Sequence, residues 1–221
     1  MKRKLMGMVV LCFAATFLSA AWSPVAISLL PSVQWPTADA DITGLRLNVL
    51  VGKHHNVYGV DVATIGNVVS NCTAGIQLAG YINLSDTVYG CQLAPYCNCA
   101  AELSGFQVGP LNLVADELSG FQIGAFNFSV GWKEAELSGF QIGALNGADK
   151  LSGFQIGGVF NIAKQKMAGF QIGIVNIAKE LSGFQVGVFN YAEKANGLQV
   201  GVLNDIDDAT CRFLPLLNMQ F

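Results

Sequence analysis

Apolar and polar positions alternate with period two in short runs along this chain, and the runs copy one another. In the stretch Leu181-Ser182-Gly183-Phe184-Gln185-Val186-Gly187-Val188-Phe189-Asn190-Tyr191, Phe184 and Val186 share one face of an extended segment while Gln185 faces the other way. Phe189 and Tyr191 alternate around Asn190 in the opposite phase, so the chain bends near Gly187. Leu181 is also out of phase with Phe184, which places a second corner at Ser182-Gly183. A glycine every four residues costs a helix about 1 kcal/mol each relative to alanine, and the apolar period is two rather than 3.6. Each copy therefore predicts two short strands, two corners and a polar turn, with the Phe positions facing inward.

The copies are anchored on Gly105, Gly120, Gly139, Gly153, Gly169, Gly183 and Gly197, and weaker ones on Gly44, Gly59, Gly75 and Gly90 extend the series to eleven. Spacings run from 14 to 19 residues, mostly 14 to 16. Asn falls seven residues after the anchor in most copies and eight after others, Gly75, Gly90 and Gly153 among them, so the bend after the second glycine absorbs variation in length. Self-similarity at a fixed short period signals stacked architecture. A lone copy buries too few side chains to offset the ordering of its backbone, whereas stacked copies share a core and pair every strand with the next.

The predicted fold is all-β, a parallel β-solenoid flattened into a two-sheet roll of about eleven 14–16-residue coils. At about 4.8 Å per rung it makes a rod roughly 50 Å long. The alternative is an antiparallel outer-membrane β-barrel. Up and down strands of a barrel suit a repeat of two strands, whereas here every strand-sized unit is alike. Phe221, closing the alternation Phe213, Leu217, Met219, is the feature that resembles a barrel's terminal strand. The chain divides into residues 1–21 as a signal peptide, 22–40 as an N-terminal capping segment, 41–204 as the GxQxGxxN solenoid, and 205–221 as a C-terminal capping strand. The capping segments include Ala26 to Pro36 at one end and Arg212 to Pro215 at the other. Open sheet ends invite aggregation, which is why caps are expected.

Charge changes the picture at the N-terminus. Lys2, Arg3 and Lys4 precede an apolar stretch from Leu5 to Leu18, then Ser19-Ala20-Ala21 offers small residues for cleavage before Trp22. This predicts export, to the cell surface, outer membrane or periplasm of a bacterium. Without those three cations, nine basic residues face 15 acidic ones, a net charge of −6. Nucleic acid is excluded as a partner, because phosphate neutralisation needs clustered Lys and Arg. The remaining charges lie mainly between copies, as in Asp116-Glu117.

The GFQIGxxN copies, the leading LLPSVQWP and NVYGVDV (Asn56 to Val62) resemble a family of bacterial surface-repeat proteins. The resemblance covers nearly all of the chain beyond the signal segment and implies export and display at or near the outer membrane. It supplies no catalytic residues. The first two copies depart from it, with Arg46 and Asp61 where the other nine carry Gln.

Candidate chemistry is sparse. His54-His55 lies in a turn with no ligand partner at metal spacing, and a solvated turn is the expected role. Cys91 occupies a Phe position, predicting a buried thiol. Cys97 and Cys99 share a strand face too far apart for an easy mutual bond. Pairing among Cys72, Cys91, Cys97, Cys99 and Cys211 stays open, a Cys72 bridge to a neighbouring rung included, and five cysteines leave at least one unpaired. Asp205, Asp207 and Asp208 lack an EF-hand loop and predict an acidic turn. No nucleophile elbow, zinc-protease motif or phosphate loop occurs. The chain is therefore expected to be non-enzymatic and without cofactors, with Arg46, His54 and Asp61 as the scattered material from which any active site would have to arise.

One column invites a binding hypothesis: Gln77, Gln92, Gln107, Gln122, Gln141, Gln155, Gln171, Gln185 and Gln199. Stacked side-chain amides satisfy one another, as in the ladders of stacked sheets. The same column, if it lines an uncharged face, suits a repetitive partner such as a glycan, a cell-wall polymer or another envelope protein.

Overall fold

A computed structural model describes residues 22–131 and 134–221. The proposed signal peptide, residues 1–21, lies outside the described residues. The chain enters as β1 (Trp22–Leu30) and β2 (Val33–Trp35). It then stacks β3 (Asp41–Asn48), β4 (Val51–Ala63), β5 (Gly66–Ala79), β6 (Ile82–Leu93) and β7 (Cys97–Val108). β8 (Leu111–Ile123) and β9 (Phe126–Ser129) follow, and β10 (Glu136–Ile172) and β11 (Val175–Ile206) each run through more than one rung. β12 (Phe213–Gln220) ends the chain.

The strands follow one another in one continuous order, from β12 and β11 through to β3, β1 and β2. Pairing from β3 to β11 is parallel and in register, anchor glycine on anchor glycine and Gln on Gln. The molecule is a β-solenoid of about eleven turns. It is not a barrel: the ladder is open at both ends, with β2 antiparallel on β1 and β12 antiparallel on β11. Phe221 stands 89% exposed beyond β12.

The corner predicted at Ser182-Gly183 does not form: β11 runs through it unbroken, paired residue for residue with the rung below from Leu181 to Val186. Nine anchors, from Gly59 to Gly183, have φ between 137° and 150°, a region side chains disfavour. A Cβ on Gly139 would collide with the carbonyl oxygen of Gly120 one rung below. Leu181 and Gln185 face inward and Ser182 and Phe184 outward, the ordinary alternation of a strand, so Leu181 is out of phase with Phe184 only because the two lie on opposite faces. The other corner, after the second glycine, takes three residues in the coil of Cys97 and two in that of Leu111, as the spacing of Asn predicts. The rest of the length variation sits at the opposite edge, where register shifts separate Val69 from Cys72 and Ala163 from Lys166.

Facing is the main correction. The alternation is as predicted, but the Phe positions point outward: Phe106 is 45% and Phe184 42% exposed. Cys91, in the same column, is only half-buried. The apolar core is instead built from a Leu column (Leu103, Leu118, Leu137, Leu151, Met167, Leu181) facing a small-residue column (Ala100, Val114, Ala148, Ala163, Ala178, Ala192). It occupies only half of the cross-section.

Candidate functional site: amide ladders inside, an apolar wall outside

The other half of the interior is polar. All nine ladder glutamines are fully buried. Each Nε2 from Gln92 onward donates to Oε1 of the preceding rung, at 2.7–2.9 Å from Gln92→Gln77 to Gln199→Gln185. The self-satisfied stack predicted for Gln77 through Gln199 is therefore present, but a binding face made of them is not. A partner would have to displace the outer wall of the rod to touch one.

Facing it is a second ladder that sequence reasoning missed. Asn48, Asn67, Asn83, Asn98, Asn112, Asn127, Asn146, Asn161, Asn176, Asn190 and Asn204 are linked by Nδ2–H···Oδ1 bonds of 2.7–3.0 Å. The signal was available: Asn recurs in every later copy seven or eight residues after the anchor. Here each amide donates to the following rung, so the two ladders point in opposite directions and their dipoles oppose. Each ladder also ends on one unsatisfied acceptor, Asn48 Oδ1 at the start and Gln199 Oε1 at the finish. In the first rung Gly52 stands opposite Asn67 where an Asn is due, and Asn48 reaches across to fill the gap. A Cβ on Gly52 would collide with the Asn48 side chain.

Arg46 and Asp61, the two departures from the Gln column, terminate it. Both are fully buried and paired. Asp61 Oδ1 accepts from Arg46 Nε at 2.6 Å and from Asn48 Nδ2 at 2.9 Å. Its Oδ2 accepts from Arg46 Nη2 and, at 3.1 Å, from Gln77 Nε2. Four donors saturate the carboxylate, which is what a buried charge requires. His54 completes the cluster: Arg46 Nη1 lies 3.2 Å from its Nδ1, and its Nε2 lies 3.3 Å from the Pro36 carbonyl. Arg46 can only donate, so Nδ1 accepts and Nε2–H donates, the neutral tautomer. Burial and then the adjacent Arg46 push the His54 pKa down to about 4. The expected solvated histidine turn is thus split, His55 exposed and His54 sealed. Arg46, His54 and Asp61 do meet, but none has surface open to a substrate.

The remaining candidates resolve separately. Among the described residues no group of three or more His, Cys, Asp or Glu could hold a metal ion. Cys72, Cys91, Cys97, Cys99 and Cys211 are free thiols. Cys97 and Cys99 lie closer than predicted, Sγ to Sγ 3.1 Å, and burial followed by the Cys97 hydrogen bond pushes Cys99 up to about 12. Asp205 and Asp207 are engaged by Arg212 at 2.9 and 2.7 Å, and Asp207 accepts the Tyr191 hydroxyl at 2.7 Å.

Outside the amide half the surface is apolar. Phe106, Phe121, Phe140, Phe154, Phe170 and Phe184 stack with ring centroids 4.8–5.0 Å apart and planes within 9°. Beside them runs the column of Val108, Ile123, Ile142, Ile156, Ile172 and Val186, in register from rung to rung. The bend continues with Ile65, Tyr81, Tyr96, Ile174, Val188 and Val202, all exposed. The second sheet face adds Phe126, Phe160 and Leu203. The opposite edge carries the charges, with Lys150 bound to Glu134 at 2.6 Å and Lys164 to Asp149 at 3.3 Å. Shallow grooves there run between the Ser column and the charged turns, one lined by Ser138, Ser152, Glu136, Lys150 and Lys166.

Compared with known proteins, the chain matches no family model, no curated protein and no solved structure.

Proposed function

We propose that this chain is an exported, non-enzymatic surface-repeat protein of a bacterial envelope, structural or adhesive in role, acting through the regular face of its coils. The observation that carries the reading is the contrast between interior and exterior. The ionisable cluster Arg46, His54 and Asp61 is sealed in the rod, while outward apolar columns recur from rung to rung. A repetitive outer surface suits a repetitive partner. Because the Gln column is sealed, a glycan, cell-wall polymer or envelope protein would meet the outward columns or the grooves at the charged edge. The N-terminal sequence, with Lys2, Arg3 and Lys4 ahead of an apolar run, supports export.

The test is fractionation of a Gram-negative host expressing the full chain, with protease treatment of intact cells and mass determination of the mature N-terminus. Cleavage near Ala21 and recovery in the envelope fraction are expected. An uncleaved protein retained in the cytoplasm would sink the reading.

A further inference from the structure

We propose that the apolar half of the solenoid is a lipid-contact surface, and that the rod lies on its side in one leaflet with its apolar bend among acyl chains and its charged edge in water. This rests on the reading above that the outward columns are the interacting face, and it names their partner.

The apolar surface is large. A free Phe or Tyr presents about 150–250 Å², and Phe106 and Phe126 keep 45% and 43% of theirs exposed. Two or three large apolar side chains per rung are exposed to about this degree, and over about eleven rungs they give apolar area on the order of 2,000 Å². The largest apolar patch on an ordinary monomer is about 300–600 Å², and a stable dimer buries about 800 Å² per partner. Shape sharpens the point: the wall starts on one sheet face with Ile142, turns the bend at Ile174 and continues on the other face with Phe160. A second copy docked on one face leaves the bend and the other face wet. A fluid apolar medium covers all three.

The backbone at the bend is also satisfied. Lipid accepts only segments whose peptide groups are satisfied internally, which usually means helices and closed barrels. At the bend, Tyr81 N–H donates to the Ile65 carbonyl at 2.9 Å, Phe126 N–H to Pro110 at 2.8 Å and Val188 N–H to Ile174 at 2.9 Å. The Asn ladder reaches the same corner from inside, Asn112 Nδ2 donating to the carbonyls of Gly109 and Ile123 at 3.0 Å each. These peptide groups of the bend therefore do not depend on water for partners. Charge is segregated as well. Between Asp86 and Lys194 every described charged residue lies at the edge opposite the bend, as the register of the rungs requires.

Flotation of the full chain with neutral phosphatidylcholine vesicles in high salt tests this. The native protein is expected to float. A triple Ile123→Lys, Ile142→Lys, Ile156→Lys variant is expected to lose flotation by about tenfold or more, while Ser119→Lys, Ser138→Lys, Ser152→Lys floats as the native chain does. Native protein left at the bottom of the gradient, a defined lipid-free oligomer, or equal behaviour of the two triples would each overturn the proposal. Single Ile142→Trp and Ser138→Trp variants guard against misfolding. Brominated acyl chains should quench the first and spare the second, and equal quenching overturns it too. A protein displayed on cells that fails to float sinks the lipid surface alone. One that floats but stays in the cytoplasm sinks export alone.

Discussion

The two halves of the cross-section are built to opposite rules. Toward the charged edge, Leu137 and Ala148 pack inside and Lys150 faces water, the arrangement of any soluble protein. Toward the bend, Gln141 and Asn146 are inside and Ile142 and Leu145 are outside. Both halves fold because each interior is satisfied in its own way. The first removes apolar surface from water. The second exchanges amide–water bonds for amide–amide bonds that polarise one another along the rod. The difference teaches that burial in a stacked fold is decided by what a residue can do with its copy one rung away: a Gln can both donate to and accept from another Gln.

Substitutions can break this comparison. The largest effect is expected at Asp61→Ala, which strands Arg46 as an unpaired buried charge and removes the acceptor for Gln77; about 3–5 kcal/mol of stability should be lost in urea unfolding. Next is Leu137→Ala in the apolar half, at about 3 kcal/mol for the cavity it leaves. In the same rung Gln141→Ala leaves Gln122 Oε1 and Gln155 Nε2 without partners and should cost about 2–3 kcal/mol. If Gln141→Ala proves silent while Leu137→Ala does not, the amide half contributes nothing and the comparison collapses.

Acid offers a graded test. His54 has its folded pKa depressed to about 4 from an ordinary 6.5, so the unfolded chain binds its proton first. Stability from this group is complete above about pH 6.5 and is lost as pH falls toward 4, by up to about 3 kcal/mol. His54→Gln should flatten that part of the pH dependence, and an unchanged slope would show that other groups carry it. The smallest effect is expected from Ile142→Ser in lipid-free solution, within about 0.5 kcal/mol, because its side chain already faces outward.

The stacking was legible from the chain because every strand-sized unit carries the same residues in the same order. The bend near Gly187 was legible too, since Phe184 and Phe189 fall out of phase, whereas the corner expected at Ser182-Gly183 came from placing Leu181 and Phe184 on one face. Sidedness was not. Alternation places Phe184 and Gln185 on opposite faces but does not say which face is inside, and the usual preference for buried aromatics gave the wrong answer. The ladder that decided it depends on contacts between residues 14 to 19 positions apart, as in Gln155 to Gln141 and Gln141 to Gln122. The meeting of Arg46, His54 and Asp61 was hidden for the same reason, because it requires the rung register to be known first.

The opposed directions of the two ladders also bear on how such a chain can change over generations. Each rung from that of Gln77 to that of Gln199 brings its own donor and acceptor to both ladders, so duplicating or deleting one such coil joins the cut ends without creating a new orphan. The count of unsatisfied acceptors stays at the two termini, Asn48 and Gln199, whatever the number of coils. Rod length can therefore change by whole coils at no cost to either ladder, provided the end pieces around Asp61 and Asn218 stay in place. An insertion of half a coil breaks both ladders at once and should be purged.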